Sequence, residues 1–246
     1  MPSSDPAWNA WDLLGLIAVG IVAIVVSTVV VLLAAKQLFY PHADVASLSR
    51  NAIVIVAGQA LGYLLVFAYM YAIVTRVRRR PDFLAAIHWN LPRNPAIYLA
   101  AGVLLSIGLQ VFAHFLPIPK NLPIDTLFRT SAEAWMLTIF GITLAPLMEE
   151  LFFRGFLYPV LEHYLGFAIA VPFTALGFAL LHGSQLKFAW GPLLVIFIVG
   201  LVLTIVRARK KSVAASLLIH VGYNTTLSGL IFVATGGFRH LEKLKQ

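Results

Sequence analysis

Cysteine is absent from the 246 residues, and charged residues make up only 11% of them. Without cysteine the chain has no disulfide framework, no thiol nucleophile and no Cys-ligated zinc. A soluble domain is about 45–50% apolar with about a quarter of its residues charged. This chain is 60% hydrophobic, and its mean hydropathy is +0.88. The composition excludes a soluble enzyme, a disordered protein and a secreted disulfide scaffold, and it indicates a polytopic membrane protein.

Seven apolar runs are candidates for membrane-spanning helices, which need about 20 residues each. We predict them at about residues 13–35, 52–75, 96–116, 134–163, 166–182, 189–206 and 213–235. The fourth run is long and contains charges, whereas the fifth is short and contains Pro172. No internal repeat or long linker divides the chain. The expected fold is therefore an all-α bundle of about seven transmembrane helices.

Two basic clusters predict the orientation of this bundle. Residues 76–80 follow the second run and residues 207–211 follow the sixth, so both clusters lie on one side of a seven-helix bundle. Excess Lys and Arg usually mark cytoplasmic loops. We therefore place both loops and the N-terminus inside, and attribute the net charge of +8 to membrane anchoring rather than to nucleic-acid binding. Residues 1–12 contain no Lys or Arg, so we expect the first run to be a retained helix rather than a signal peptide.

A pair of adjacent carboxylates lies inside the fourth run. The other eight acidic residues fall in or next to predicted loops, which leaves Glu149 and Glu150 within an apolar span. An ionisable group at the bilayer centre costs about 2.5–3.5 kcal/mol even on insertion scales. Arg154 follows Glu150 by one helical turn, so these two side chains can form an ion pair. Glu149 projects about 100° away and has no partner on its own helix.

Three more polar side chains occur in the later runs. His182 closes the fifth run, and His220 and Asn224 share one face of the seventh. At 1.5 Å per residue, Glu149, His182 and Asn224 lie about 18–24 Å from the cytoplasmic ends of their helices, and His220 about 12 Å. These groups can meet near the middle of the membrane if their helices are adjacent. A buried structural ion cluster remains the alternative interpretation.

Most designs of hydrolytic site are excluded by residue type. Neither His182 nor His220 is followed by the Glu of an H-E-x-x-H zinc motif, and no Asp lies within a run. Ser184 and Ser228 do not stand in a G-x-S-x-G context. A carboxylate with one or two His can still activate water as a general base. An Asn and a His on a facing helix can donate hydrogen bonds to an oxyanion.

The order and spacing of these residues resemble a known family. The matching motifs are Glu149-Glu150-x-x-x-Arg154, Phe178-x-x-x-His182 and His220-x-x-x-Asn224. They resemble the three motifs of the CAAX protease and bacteriocin-processing (CPBP, or Abi) family, which includes the eukaryotic CAAX prenyl endopeptidase. The resemblance covers about residues 134–235. It implies three segments, namely N-terminal transmembrane helices at 1–132, a catalytic helical core at 133–236 and a short tail at 237–246.

The resemblance implies an intramembrane endopeptidase with its active site among the last four helices. By similarity, Glu149 with His182 would activate the attacking water, while His220 and Asn224 would stabilise the oxyanion. The implied substrates are membrane-anchored proteins or peptides, either prenylated or of bacteriocin type. Short loops and the lack of targeting segments favour the membrane of a prokaryotic cell.

The resemblance also gives Glu150 and Arg154 a supporting and orienting role. The family has been interpreted both as glutamic and as metal-dependent. A divalent metal such as zinc, if present, would use Glu149, His182 and His220. A Glu that is ion-paired to Arg is a poorer ligand, so we favour a reaction without a cofactor.

Two other classes of function fit an intramembrane cluster of Glu, Arg and His. A proton-coupled transporter would use the cluster as a relay, and often contains internal repeats, which are not found here. A non-catalytic scaffold or immunity protein would tolerate replacement of Glu149.

Overall fold

The computed structural model of the chain describes residues 6–245, and this part is helical throughout, without a β-strand. The all-α class predicted from the sequence is confirmed. The α-helices are α1 (Ala10–Leu38), α2 (Val45–Leu48), α3 (Ala52–Ala72), α4 (Phe83–Ala86), α5 (Pro95–Ala113), α6 (Ser131–Ile142), α7 (Leu144–Glu150), α8 (Tyr158–Leu165), α9 (Phe167–Leu181), α10 (Trp190–Lys210) and α11 (Val213–Ala234).

Five further helical turns connect or extend these helices. Two are π-helical, at Ile73–Val77 and Leu151–Leu157, and three are 3₁₀-helical, at Pro123–Leu127, Ser184–Leu186 and Leu241–Lys245. The first π-turn continues α3, and the second joins α7 to α8.

Six of the helical segments in residues 6–245 are long and apolar enough to cross a membrane. These are Ala10–Leu38, Ala52–Val77, Pro95–Ala113, Ser131–Leu165, Trp190–Lys210 and Val213–Ala234. The remaining predicted span is the shorter apolar helix α9, whose 15 residues rise only about 22 Å against a hydrocarbon core of about 30 Å. The bundle therefore has about seven helices, as predicted, and the chain is a multi-pass integral membrane protein.

The fourth segment is not one regular helix. It breaks at Thr143, where φ is −112° and ψ is −82°. Pro146, three residues later, has no N–H to give to the Ile142 carbonyl, and its ring crowds that carbonyl. The segment then runs through α7, the π-turn Leu151–Leu157 and α8. The two glutamates thus lie between a proline-induced break and a π-turn.

Close backbone approaches fix the helices that surround this segment. α1 packs along α3, α5 along α11, and α9 against α10 and α8. A Cβ atom at Gly102 of α5 would collide with the Ile219 carbonyl, and one at Gly222 of α11 would collide with the Leu99 carbonyl. Small residues allow transmembrane helices to approach this closely. The contact holds α11, which carries His220, against α5.

Polar contacts gather at one end of the bundle. Arg78, after α3, forms an ion pair with Asp12 at the start of α1. Asn90 donates from Nδ2 to the Lys211 carbonyl at 2.8 Å, and the Val213 amide donates to the His88 carbonyl at 3.0 Å. The structure thus brings both basic clusters to the same face, as seven alternating helices require.

Candidate active site

Glu150 and Arg154 form an ion pair that is fully buried. Nη1 of Arg154 lies 2.9 Å from Oε1 of Glu150, and both side chains are 0% exposed. The i,i+4 spacing in the sequence predicts this pair. The other guanidinium nitrogens are also bonded, since Nη2 donates to the Gly200 carbonyl at 3.0 Å and Nε donates to Oγ1 of Thr204 at 3.3 Å. The charge of Arg154 is therefore compensated, and each of its three guanidinium nitrogens has a hydrogen-bond partner, within the bundle.

His220 connects the two glutamates. Its Nδ1 lies 3.0 Å from Oε1 of Glu150, and its Nε2 lies 3.6 Å from Oε2 of Glu149. Because the Glu150 carboxylate is paired with Arg154 and can only accept, Nδ1 of His220 carries the donated hydrogen. The Nε2 atom of a neutral His220 consequently faces Glu149 as an acceptor.

His182 approaches Glu149 with the same tautomer. Its Nδ1 lies 3.0 Å from the Phe178 carbonyl, which can only accept, so Nδ1 must donate. Its Nε2 lies 3.8 Å from Oε1 of Glu149. Each carboxylate oxygen of Glu149 is therefore faced by one imidazole nitrogen.

These contacts make Glu149 the centre of a set of acceptors. At 3.6 and 3.8 Å the His–Glu separations exceed direct hydrogen bonds, and they are separations that a bridging water can span. A carboxylate flanked by two imidazole acceptors can bind both hydrogens of a water and remove one of them. The Glu149 side chain is 13% exposed and that of His182 is 21% exposed, so the position is accessible.

Asn224 is held differently from the other predicted site residues. Its Nδ2 donates to the Gly141 carbonyl at 2.7 Å. This carbonyl belongs to the last turn of α6, where helical carbonyls lose their partners. The amide has a second N–H, which remains for another acceptor. The structure thus joins Glu150, Arg154 and His220 through direct hydrogen bonds and brings Glu149 within 3.8 Å of His182 and 3.6 Å of His220. It places Asn224 one turn beyond His220 on α11.

Phe178 has a larger part in the site than sequence reasoning assigns to it. Its ring lies under the guanidinium of Arg154, with Cζ 4.5 Å from the ring centroid. Its edge meets the ring of His220 at 5.6 Å between centroids, and its carbonyl holds His182. The i,i+4 spacing of Phe178 and His182 is the signal that predicts this role. The sequence analysis gives Phe178 only as the first residue of the second motif and assigns it no role in the site.

The comparison with protein families covers this part of the chain. Residues 131–226 match the model described as Rce1-like, type II CAAX prenyl endopeptidase Rce1-like. These residues form a CPBP-family domain. The family resemblance predicted from the three motifs is confirmed. All three motifs lie inside the matched residues. No curated protein and no solved structure matches the chain.

The CPBP-family domain indicates a CAAX protease-like endopeptidase that acts on membrane-associated substrates within the bilayer. The match begins at residue 131, so the first three long helices, α1, α3 and α5, lie outside it. The division into segments at 1–132, 133–236 and 237–246 stays a prediction.

A cavity of about 610 Å³ lies between the CPBP-family domain and the helices α1 and α3. Its lining comes from α1, α3, the π-turn after Glu150 and α9, and Glu149 is the charged residue among the side chains that line it. Ile21 and Val25 of α1 and Leu181 of α9 also border this cavity and are more than half exposed on the outer surface. These exposed side chains indicate that the cavity is open to the surface of the bundle between α1 and α9.

Tyr63 of α3 brings a further polar group to the cavity. Its ring stacks on Phe140 of α6 with centroids 6.0 Å apart, and it lines the cavity together with Glu149. The sequence analysis did not identify Tyr63, because its helix lies outside the three motifs and because tyrosine is a common residue at membrane interfaces.

A metal ion needs several donor atoms that point to one position. Among residues 6–245, no group of three or more His, Asp or Glu side chains is arranged to hold one. Glu150 is already committed to Arg154 and His220, which leaves one carboxylate and two imidazoles at wider spacing. One carboxylate and two imidazoles are donor types that zinc uses in catalytic sites, and Glu149, His182 and His220 are the residues that would hold an ion here.

Proposed function

We propose that this protein is an intramembrane endopeptidase in which Glu149 activates water for attack on a peptide carbonyl. The observation that carries the proposal is the Glu149 carboxylate, which faces Nε2 of both His182 and His220 at one end of an apolar cavity. The supporting shell of Arg154 and Glu150 fixes His220, and Phe178 fixes His182.

The reaction follows from the acceptor geometry. Glu149 takes a proton from the water while His182 accepts the other hydrogen and orients the oxygen lone pair toward the carbonyl carbon. The new C–O bond forms a tetrahedral oxyanion. The second N–H of Asn224 would donate to that oxyanion. His220 accepts at Nε2 in the neutral form, so it would donate there as well only after taking up a proton from solvent before the attack. The C–N bond then breaks, and the proton held by Glu149 passes to the leaving nitrogen.

The substrate would combine a peptide bond with an apolar, membrane-embedded portion. The side opening of the cavity between α1 and α9 supports a substrate that arrives by lateral diffusion in the membrane. Prenylated proteins and bacteriocin-type peptides both satisfy this requirement. We place the protein in a prokaryotic cell membrane and assign no cofactor to the reaction.

The test is cleavage by purified protein in detergent. Wild type, Glu149→Gln and the exposed control Glu242→Gln would be incubated with three classes of peptide, namely transmembrane, C-terminally prenylated and apolar leader peptides. We expect wild type and Glu242→Gln to cleave at least one class. Glu149→Gln should lose about a hundredfold to ten-thousandfold in rate, the usual contribution of a general base.

A chelator distinguishes activation of the water by Glu149 alone from activation by a bound metal ion. Cleavage that persists with EDTA agrees with the proposal, whereas cleavage that is lost with EDTA and restored by a divalent cation contradicts the metal-free mechanism. Full activity of Glu149→Gln would contradict the assignment of the base. Wild-type protein that cleaves none of the three classes would overturn the proteolytic function itself.

A further inference from the structure

The π-turn Leu151–Leu157 exposes backbone carbonyls that two distant side chains bind. Nε of Arg207, on α10, donates to the Arg154 carbonyl at 3.0 Å. Nε1 of Trp8, just before α1, donates to the Phe156 carbonyl at 3.1 Å. π-turns are rare inside α-helices and occur frequently at functional sites. Here the turn begins directly after the two glutamates.

Trp8 contacts the turn with its whole ring. The indole stacks on the Phe156 ring with centroids 4.3 Å apart and an interplanar angle of 22°, and Trp8 is only 2% exposed. A Trp near the end of a membrane span, such as Trp8, is usually an anchor at the membrane interface. The structure instead places it against the helix segment that carries Arg154, with donor and acceptor 148 positions apart in the chain.

Arg207 is buried between the turn and the loop after α4. It is 4% exposed, and its Nη2 lies 3.3 Å from Nδ1 of His88. Because a guanidinium only donates, Nδ1 of His88 accepts and the ring is neutral in this contact. Burial, followed by the charges of Arg207 and Lys211, lowers the pKa of His88, while Glu162 raises it. Arg207 therefore bonds at once to the backbone of Arg154 and to a neutral loop imidazole.

We propose that Trp8 and Arg207 are positioning residues of the active site, which hold the π-turn so that Arg154 keeps Glu150 and His220 in place. This inference rests on the proposed function. If either donor is lost, a buried carbonyl of the turn loses a hydrogen bond, which favours rearrangement of the turn. A turn that rearranges moves the backbone of Arg154, whose guanidinium depends on fixed acceptors in α10.

The most conservative test removes single hydrogen-bond donors. Trp8→Phe retains an aromatic ring over Phe156 but has no N–H, and its matched control is Trp11→Phe, since Trp11 is 78% exposed. Arg207→Lys retains the charge but cannot bond to two acceptors in the same geometry, and its control is Arg209→Lys on the exposed side of α10. If the Arg207 variant does not fold, Trp8→Phe carries the test.

The expected effect is on turnover rather than on substrate affinity. We expect kcat to fall about tenfold in Trp8→Phe and in Arg207→Lys, with KM changed less than about twofold, because neither residue lines the cavity that holds Glu149. The double variant should lose less than the product of the two single effects, since both donors act on one turn. Either variant combined with Arg154→Lys should likewise show non-additive losses.

Hydrogen–deuterium exchange gives a readout that does not depend on activity. Amides of residues 151–158 should exchange faster in both variants than in wild type, and at the wild-type rate in both controls. Active wild type together with variants that match their controls in kcat and exchange would overturn the inference and leave the proposed function intact. If wild type cleaves no peptide, the proposed function fails, and exchange alone decides whether these residues hold the turn.

Discussion

Glu149 and Glu150 are neighbours in the chain, but their surroundings give them different roles. Glu150 is 0% exposed and bonded to Arg154 and His220 through one oxygen. Glu149 is partly exposed, faces two imidazole nitrogens and lines the cavity. A buried carboxylate that is paired with a guanidinium and an imidazole through one oxygen holds the site together. A carboxylate that faces acceptors and a cavity is the one that can take a proton.

Because of this difference, we expect replacement of Glu150 to lower the stability of the protein and replacement of Glu149 to leave its stability nearly unchanged. Glu150→Gln leaves the Arg154 charge buried without a counter-charge, so we expect a loss of about 3–5 kcal/mol in the free energy of unfolding. Glu149→Gln removes no ion pair to Arg154 and should unfold within about 0.5 kcal/mol of wild type. Both are measured by denaturant unfolding in the same detergent.

The exposed variant Glu242→Gln serves as the control for the loss of one negative charge. Equal stability of Glu150→Gln and Glu149→Gln would contradict the structural role given to Glu150.

At the scale of single residues, sequence reasoning predicts contacts within one helix better than contacts between helices. The Glu150–Arg154 pair follows from its spacing alone, because residues four apart share a helical face. The approach of His182 and His220 to Glu149 required the family motifs. The contact of Asn224 with the Gly141 carbonyl depends on the break at Thr143, and no motif marks that break.

At the scale of helices, the active site depends on how closely α5 and α11 approach each other. The two helices meet at Gly102 and Gly222, where neither backbone leaves room for a side chain. α11 carries His220 and Asn224, so a change in this spacing moves both residues relative to Glu149. The glycines are therefore part of the support of the site, although they lie away from it.

Gly102→Ala should separate α5 from α11. The added Cβ would collide with the Ile219 carbonyl, and overpacking of this kind costs about 1–3 kcal/mol. We expect a lower midpoint of thermal unfolding and a lower kcat. The matched control is Gly108→Ala on the same helix, where a Cβ atom would meet no heavy atom within 4 Å.

The control should be as stable as wild type or slightly more stable, because Ala is a better helix former than Gly. A Gly102→Ala variant that behaves like Gly108→Ala would show that the two helices can adjust their separation freely.

The hydrophobic pattern also has limits at this scale. It predicts six of the helices at nearly their observed positions, since a span needs only length and apolar composition. It cannot distinguish a π-turn from an α-helix, because the apolar pattern of residues 151–157 is compatible with both. The π-turn is stabilised by Trp8 and Arg207, which lie far away in the sequence.

At the scale of the whole molecule, the distribution of polar contacts defines two different ends. The first end contains the ion pair of Asp12 with Arg78 and the contact of Arg207 with His88. At the other end, Oγ of Ser131 donates to the Phe238 carbonyl at 2.7 Å. Both basic clusters lie at the first end, so the positive-inside rule predicts that this end is cytoplasmic.

The absence of cysteine makes this orientation simple to test, because an introduced cysteine is the only thiol in the chain. Arg79→Cys and Arg209→Cys lie at the basic end, and Lys120→Cys lies in the loop after α5 at the opposite end. A membrane-impermeant thiol reagent should label Lys120→Cys in intact cells. It should label the other two variants only after the membrane is opened or inverted. The reverse pattern would place the N-terminus and both basic clusters outside. Labelling of all three positions from one side would contradict the prediction that an odd number of membrane crossings separates Lys120 from Arg79 and from Arg209.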